Sequence, residues 1–574
     1  MLWHIGNTTV RTPYRLQEAL AALASSPLNG NLAGREQEQA FAEFLHESGI
    51  VNVGRLAGGE DASDVGRKWR VALSQLGFIT PQLSRGIASG AIDPLVHAHA
   101  EGVGSLSGRQ YEITPNGARL GAADKISAQQ ECFLRSLAAY RIPSPLEQKD
   151  CSTFSPLRFV IDIMHSLEVS GEAAVLSFEE FALHVQTSTP DDGVQNVVGR
   201  IIAFRQARLA ARGNVRAFDR DRYEEVAAQI DRKAATLDDY ADLSFRYLKA
   251  TGLFRNAGRG ICLSPNKAQQ AQLIRGQAPE YPDDRAYFHA LWQGAALPTD
   301  DLDTALVVVS DLAEQLTARG VRSTPPPPGT PLPDIEIVRL AFEERLLELD
   351  EEEYASAQAG QVEEIAAWME AIASRGSASL PDGTRLTVPR GEAPAYLEWI
   401  VWRAFLAIDS LVKPSWEARN FKIDQDFLPV HCAPGGRPDM VFEFDNSIVV
   451  VEVTLTASSR QEAAEGEPVR RHVAQFAENS AKKVYGLFIA LQIDSNTAHT
   501  FSSGAWYLAD DTKISLDIVP LTLADFRKFL LGGQANLGEM PQKLRNLLLE
   551  CRSVSNRDAP QWKNEISQIV DRLS

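Results

Sequence analysis

Cysteine is scarce in this 574-residue chain: Cys132, Cys151, Cys262, Cys432 and Cys551, with no CxxC pair among them. Their odd number and wide scatter argue against a disulfide framework or a zinc ribbon and suit a reducing compartment. No apolar run approaches the roughly 20 residues of a membrane-spanning helix. The opening Met1-Leu-Trp-His-Ile-Gly-Asn lacks a signal-peptide pattern. A cytoplasmic protein with no membrane partner is expected. Positive charge is also short, with 57 Lys+Arg against 75 Asp+Glu and a net of −18. That deficit is concentrated: residues 301–400 hold 7 basic and 19 acidic side chains, net −12, whereas 1–300 and 401–574 are each at −3. Near-neutral outer parts can still present basic faces, because phosphate contact needs local clusters rather than net charge.

The length calls for several domains. In the first, 1–120, Asp61-Ala-Ser-Asp precedes a helix with Trp69, Leu73 and Leu76 at helical spacing, closed by Gly77. Arg67, Lys68 and Arg70 lie near its start. Gly77-Phe-Ile-Thr then reads as a strand and Tyr111-Glu-Ile-Thr-Pro-Asn-Gly117 as strand plus turn. A second such unit spans 121–280. Its helix Asp238-Asp-Tyr-Ala-Asp-Leu-Ser-Phe-Arg-Tyr-Leu-Lys leads into a hairpin turning at Asn256-Ala-Gly, with Arg255 and Arg259 on it. Helix, strand, turn, strand is the order of a winged-helix module. A helix over 197–213 sets Arg205, Arg208 and Arg212 on one face. That face either contacts phosphate or pairs with the acids of 219–225. Residues 281–385 read as a linker: Pro325-Pro-Pro-Pro-Gly-Thr-Pro-Leu-Pro333 is stiff and extended. The helical stretch 335–373 after it, holding Asp350-Glu-Glu-Glu353, reads as solvated spacer.

The last domain, 386–574, carries the most informative residues. In Arg437-Pro-Asp-Met-Val-Phe-Glu-Phe-Asp-Asn-Ser-Ile-Val-Val-Val-Glu-Val-Thr454, Pro-Asp opens one strand and Asp445-Asn-Ser turns the chain. The second strand then holds one acid, Glu452, inside a β-branched run. Such a run belongs in a sheet core, where a carboxylate is costly unless paired or bound to metal. Asp439 and Glu452 on neighbouring strands form a hard-oxygen site suited to Mg²⁺, with the carbonyl of Val453 as a third donor. Around them the elements run helix (392–406, with Glu398), hairpin, helix from about 469, strand from 484, strand from 514 and helix from 523.

These residues resemble the PD-(D/E)XK nuclease motif, with Thr454 where that motif has lysine. The following string, Glu452-Val-Thr-Leu-Thr and then Gln461-Glu-Ala-Ala-Glu-Gly-Glu-Pro-Val-Arg-Arg-His472, is similar to the cleavage-domain signature of the AlwI family of type IIS restriction and nicking endonucleases. The N-terminal Trp3-His-Ile-Gly-Asn-Thr-Thr-Val-Arg-Thr-Pro-Tyr-Arg-Leu16 resembles the opening of the same family. The resemblance implies a multidomain fold: N-terminal α+β, mostly helical, winged-helix-like DNA-recognition modules, a helical linker, and a C-terminal α/β restriction-endonuclease-like domain.

The activity it implies is Mg²⁺-dependent hydrolysis of double-stranded DNA at a short distance from an asymmetric site, with Mn²⁺ as a substitute ion. Glu465 corresponds to a family active-site acid, with Glu467 as its rival, and Glu398 is the acid this fold supplies from its first helix. His472 would orient water or contact phosphate, unless it is structural. Lys482, Lys483, His472 or a second metal would replace the missing lysine, and Arg470 and Arg471 would touch the DNA backbone. One active site per chain cuts one strand. A transient homodimer or a small second nuclease subunit would therefore complete duplex cleavage; without either the enzyme would nick. The implied system also includes a cognate DNA methyltransferase. The alternatives are a branched-DNA resolvase and a DNA-binding regulator with an inactive nuclease-like domain.

Overall fold

Helices dominate the chain, with sheets of two to four strands between them. The structure, a computed structural model, describes residues 1–32, 34–51, 53–81, 111–145, 152–277, 279–389 and 391–574. Cys151 and the stretch 82–110 of the first expected domain lie outside the described residues. Among the described residues no helix is long and apolar enough to cross a membrane. The chain divides into two units, Met1–Leu346 and Leu347–Ser574. The division falls within the expected linker, yet residues on both sides of it are core. Leu312 and Leu316 are buried in the first unit, and Ile365, Met369 and Ile372 in the second. The acids of this stretch mask an apolar stripe at i, i+4 and i+7.

In the first unit, helix α1 (Ser63–Gln75) forms as the spacing predicts and buries Trp69 and Leu73. The strand expected at 111–117 is reduced to a single bridge, Ile79 to Ile113. Thr114 then caps a helix starting at Pro115, accepting from the Gly117 N–H, because a Thr-Pro step suits a helix start better than a strand. Farther on come α2 (Pro156–Val169), β1 (Val175–Ser177), α3 (Val194–Ala210), α4 (Ala234–Ala250) and the hairpin β2 (Phe254–Ala257) and β3 (Gly260–Leu263). The sheet order is β1-β3-β2, all antiparallel. The hairpin turns at Gly258-Arg259, two residues past the expected start, where Gly258 takes a positive φ of 59°. The N-terminal string is a packing element for α4. Trp3 is buried between Phe154 and Phe181, its ring N–H donates to the Ser188 carbonyl at 2.7 Å, and the Tyr247 hydroxyl donates to the Val10 carbonyl. At Gly6 (φ 78°) a Cβ would stand 2.4 Å from the Tyr247 ring.

The second unit contains α5 (Val362–Ala373), α6 (Ala393–Ile408), β4 (Met440–Glu443), β5 (Ser447–Thr454), α7 (Arg460–Asn479), β6 (Lys483–Ala490), β7 (Asp517–Thr522) and α8 (Leu523–Gly532). Its sheet runs β7-β6-β5-β4, parallel except for the antiparallel β4–β5 hairpin. Both faces of β5 are buried, as its unbroken apolar run requires. On one face the Phe405 ring of α6 stacks on Phe442 at 4.0 Å. On the other, Val473 of α7 sits over Gly486. The strand expected from 514 is two pieces, since 513–515 pairs instead with 505–507. Helix α7 starts at Arg460, well before the expected 469, and continues through Pro468. Arg470 and Arg471 are therefore mid-helix rather than at its start.

A methyl group on Gly486 would meet Val473 at 2.7 Å and Ile518 at 2.9 Å. Gly486→Ala is expected to lower stability by about 1–3 kcal/mol through overpacking, measured by urea denaturation.

Candidate active site

The β4–β5 register pairs Met440 with Val451. Continued by one residue, it sets Asp439 opposite Glu452, and facing residues of an antiparallel pair share a face. Glu452 takes a hydrogen bond from the Asp439 main-chain N–H, and Asp439 Oδ2 accepts from the Val453 N–H at 2.8 Å. A residue's N–H and C=O lie on the same edge of an extended strand, so the Val453 carbonyl also faces the Asp439 side. The site sits where β5 emerges from the core, at the carboxyl ends of the parallel strands, the usual ligand position in open α/β sheets.

Two further acids join this pair. Glu398, buried on α6, accepts from the Ala433 N–H at 2.7 Å and from the Cys432 thiol. Glu465, on α7, accepts from the Thr454 hydroxyl. Four carboxylates thus crowd a poorly solvated space and disfavour one another's ionisation. Burial, then the charge of Glu452, holds Asp439 well above the usual carboxylate range. Burial, then Asp439, does the same to Glu398. Burial pushes Glu452 up to about 8, with Glu465 adding to the rise, and burial raises Glu465 itself.

His472 completes the cluster. Its Nδ1 lies 2.5 Å from Glu452 Oε1. Burial, then the neighbouring Arg471, lowers its pKa. Among the described residues, the His472 Nε2 is buried without a hydrogen-bond partner. Glu467 points away and pairs with Arg471 at 3.0 Å, with its side chain 61% exposed, so Glu465 is the acid that faces Asp439 and Glu452. Lys482 pairs with Glu443 at 2.8 Å and Lys483 with Asp517. Lys483 stands beside Ser447, five residues from Glu452 along β5, roughly 17 Å away. Neither lysine reaches the acids, and the Thr454 hydroxyl instead orients Glu465. Arg470 is turned inward, over Trp506 and onto the Ala505 carbonyl.

Residues 74–529 match the family described as AlwI restriction endonuclease. The chain belongs to the AlwI restriction endonuclease family. This AlwI-family protein is a site-specific deoxyribonuclease. No curated protein matches it. Among solved structures it is similar to the small subunit of the heterodimeric restriction endonuclease R.BspD6I, at 23% identity over 36% of this chain and 97% of that one, TM-score 0.28. It is also similar to the BpuJ1 endonuclease binding domain in complex with pyrene- and phenanthrene-modified DNA: 13% identity, 48% of this chain and 90% of that one, TM-score 0.29. A third is the restriction endonuclease FokI, at 12% identity, 92% and 94% coverage and a TM-score of 0.22.

The basic residues of the AlwI-family enzyme fall into two groups. Arg70 is tied to Glu38 at 2.8 Å and largely buried, and Lys68 lies 3.5 Å from Asp64. Arg205 is held by Glu172 and Glu180, and Arg208 by Asp219 at 2.8 Å, so two of the three arginines on that helix face are paired while Arg212 is exposed. Arg67 and the hairpin-tip Arg259, 82% exposed at 3.5 Å from Glu179, face solvent, with Arg255 half-buried beside it. Sequence reasoning missed Cys432 and Ala433 as the holders of Glu398. No motif marks them, since the contact joins α6 to a loop about 35 residues later.

The raised carboxyls give a pH signature in the absence of divalent ions. Glu452 has a folded-state pKa of about 8, against an ordinary 4.5. The stability from its protonated form is full below 4.5 and is lost as pH rises through about 8. With a chelator present, raising the pH from 7 to 9 is expected to lower stability, by on the order of 1 kcal/mol. The melting temperature, read by differential scanning fluorimetry, should fall with it. In Glu452→Gln that fall should shrink, leaving the share that burial of Asp439 and Glu398 contributes.

Proposed function

We propose that this chain is a type IIS enzyme. Winged-helix-like modules in the first unit read an asymmetric DNA site, and a PD-(D/E)XK-type domain cuts at a short distance from it with Mg²⁺, or Mn²⁺ in its place. The finer division into modules 1–120 and 121–280, linker 281–385 and cleavage domain 386–574 belongs to this reading. The observation that carries it is the enforced meeting of Asp439 and Glu452 at the carboxyl edge of the sheet, with Glu398 and Glu465 beside them. Four acids that hold one another's pKa values up are a site whose repulsion a divalent cation relieves. Among the described residues, no three His, Cys, Asp or Glu side chains form a ready-made metal-holding group. The donor set of this reading is two carboxylates, Asp439 and Glu452, plus the Val453 carbonyl.

When bound, the ion would polarise the scissile phosphate and lower the pKa of a water. Glu465, fixed by Thr454, is set to take the proton of the attacking water. His472 holds Glu452 in place through Nδ1 and keeps Nε2 for a phosphate oxygen or water. Glu398, doubly held from the Cys432–Ala433 loop, is a further acid beside the pair whose ionisation a bound cation would favour. The β2–β3 hairpin, following α4 and pairing with β1, has the element order of a winged helix, and its tip carries Arg259. One such site hydrolyses one strand. Cutting both strands needs a second copy or a small second nuclease subunit, and host protection needs a cognate methyltransferase in the cytoplasm.

Plasmid digestion followed by sequencing of the ends tests this reading. Discrete ends at a fixed offset from one site are expected, and random ends or cutting confined to branched junctions would overturn it. Asp439→Ala and Glu452→Gln should each slow cleavage about 10³-fold, near 4 kcal/mol of transition-state stabilisation. Site binding in a gel shift without Mg²⁺ should persist; cleavage unaffected by either change would remove these acids from the chemistry. Arg259→Ala should weaken binding and reduce the salt dependence of log K by about one phosphate contact, read from a salt titration.

A further inference from the structure

One acid of the run Asp350-Glu-Glu-Glu353 is not solvated. Glu351 is buried while Glu352 and Glu353 are exposed, and its carboxylate faces the guanidinium of Arg419 as a two-pronged pair. Arg419 Nε donates to Oε1 at 3.0 Å and Nη2 to Oε2 at 2.7 Å, with side-chain exposures of 16% and 7%. The remaining prong, Nη1, donates to the Phe421 carbonyl at 2.9 Å. This is the geometry for which a planar guanidinium is suited and a lysine is not.

What Arg419 holds is the backbone around Asp439. Arg419 forms an antiparallel bridge with Met440, the next residue after Asp439. The main-chain N–H of Asn420 donates to the Asp439 carbonyl at 3.1 Å, and its side-chain amide donates to the Pro438 carbonyl at 2.7 Å. Those two carbonyls belong to the peptide planes on either side of the Asp439 Cα. Fixing both planes fixes φ and ψ of Asp439, and with them the direction of its Cβ. An aspartate has only two side-chain torsions, so its carboxylate position follows closely from that backbone.

We propose that Glu351 and Arg419 are positioning residues for Asp439: the buried pair locks residues 419–421 against the β4 edge and so aims the carboxylate at the site it shares with Glu452. The inference rests on the reading of Asp439 as a metal-holding acid. Neither residue touches substrate; both act through the backbone. Partners that orient metal ligands change metal affinity or activity about 10- to 100-fold when removed. Removing one half of a buried ion pair also strands the other charge.

The test compares Glu351→Ala, Glu351→Gln and Arg419→Lys with the full-length wild type and with Asp439→Ala. Mn²⁺ binding is followed by electron paramagnetic resonance, cleavage across a Mg²⁺ series, and site binding by gel shift in chelator. Glu351→Ala is expected to weaken Mn²⁺ binding and to raise the Mg²⁺ half-saturation of cleavage about tenfold, with DNA affinity unchanged. Glu351→Gln keeps an oxygen acceptor for one prong and should fall between it and wild type. If Glu351→Ala does not fold, Glu351→Gln and Arg419→Lys carry the comparison. Wild-type Mn²⁺ binding and Mg²⁺ dependence in these variants, with only a lowered melting temperature, would make the pair a structural tie and overturn the proposal. Wild-type Mn²⁺ binding and cleavage by Asp439→Ala would instead overturn the reading of Asp439.

Discussion

Two carboxylates on facing residues of an antiparallel pair, at the end of a strand buried on both faces, repel each other where little water screens them. Left alone, Asp439 and Glu452 would turn apart, and the second unit is built so that they do not. The Val453 N–H holds Asp439, the Asp439 N–H and His472 hold Glu452, and the loops at 419–421 and 432–433 hold the β4 edge and Glu398. The bare protein relieves the repulsion by keeping protons. A cation would relieve it by displacing them, so metal binding and proton release are one event in such a site.

That constraint accounts for features of the fold that otherwise look incidental. Gly486 lets α7 lie close on the sheet, and that closeness brings His472 within hydrogen-bonding reach of Glu452 and Glu465 within reach of Thr454. Thr454 stands where the nuclease resemblance leads one to expect the positive charge of a lysine. A hydroxyl supplies none, and its use here is to orient a fourth acid, while His472 is the basic group that meets the cluster. The surplus of acid in the middle of the chain divides in the same way: most of it is solvated, and the buried Glu351 is committed to Arg419. In the first unit, arginine number is a poor guide to DNA contact, because Arg70, Arg205 and Arg208 are spent on internal carboxylates. Arg67 and Arg259 are left to face solvent.

Much of this architecture was legible in the chain. An acid inside Ile448-Val-Val-Val-Glu-Val could be read as a strand residue of unusual cost, and Pro-Asp before a short apolar segment as its partner, because alternation and β-branching are local properties. The hairpin after α4 was legible for the same reason, its turn misplaced by two residues because Asn-Ala-Gly and Gly-Arg compete as turn centres. The start of α7 was misread at Pro468, which normally marks a helix start and here lies inside one. In the expected linker, charge density hides an apolar stripe of buried residues, Ile365, Met369 and Ile372.

The order of elements, the acids at β4 and β5 and the family to which the chain belongs were determined by the sequence itself, since each depends on residue type and spacing along the chain. Tertiary structure alone decided that Glu465 rather than Glu467 turns toward those acids, that Lys482 and Lys483 lie at the far end of the sheet, and that Cys432, Ala433, Arg419 and Glu351 serve the site. These are contacts between residues tens of positions apart. Their pairing depends on strand register and on how closely a helix approaches a sheet, and neither quantity is written in any local stretch of residues.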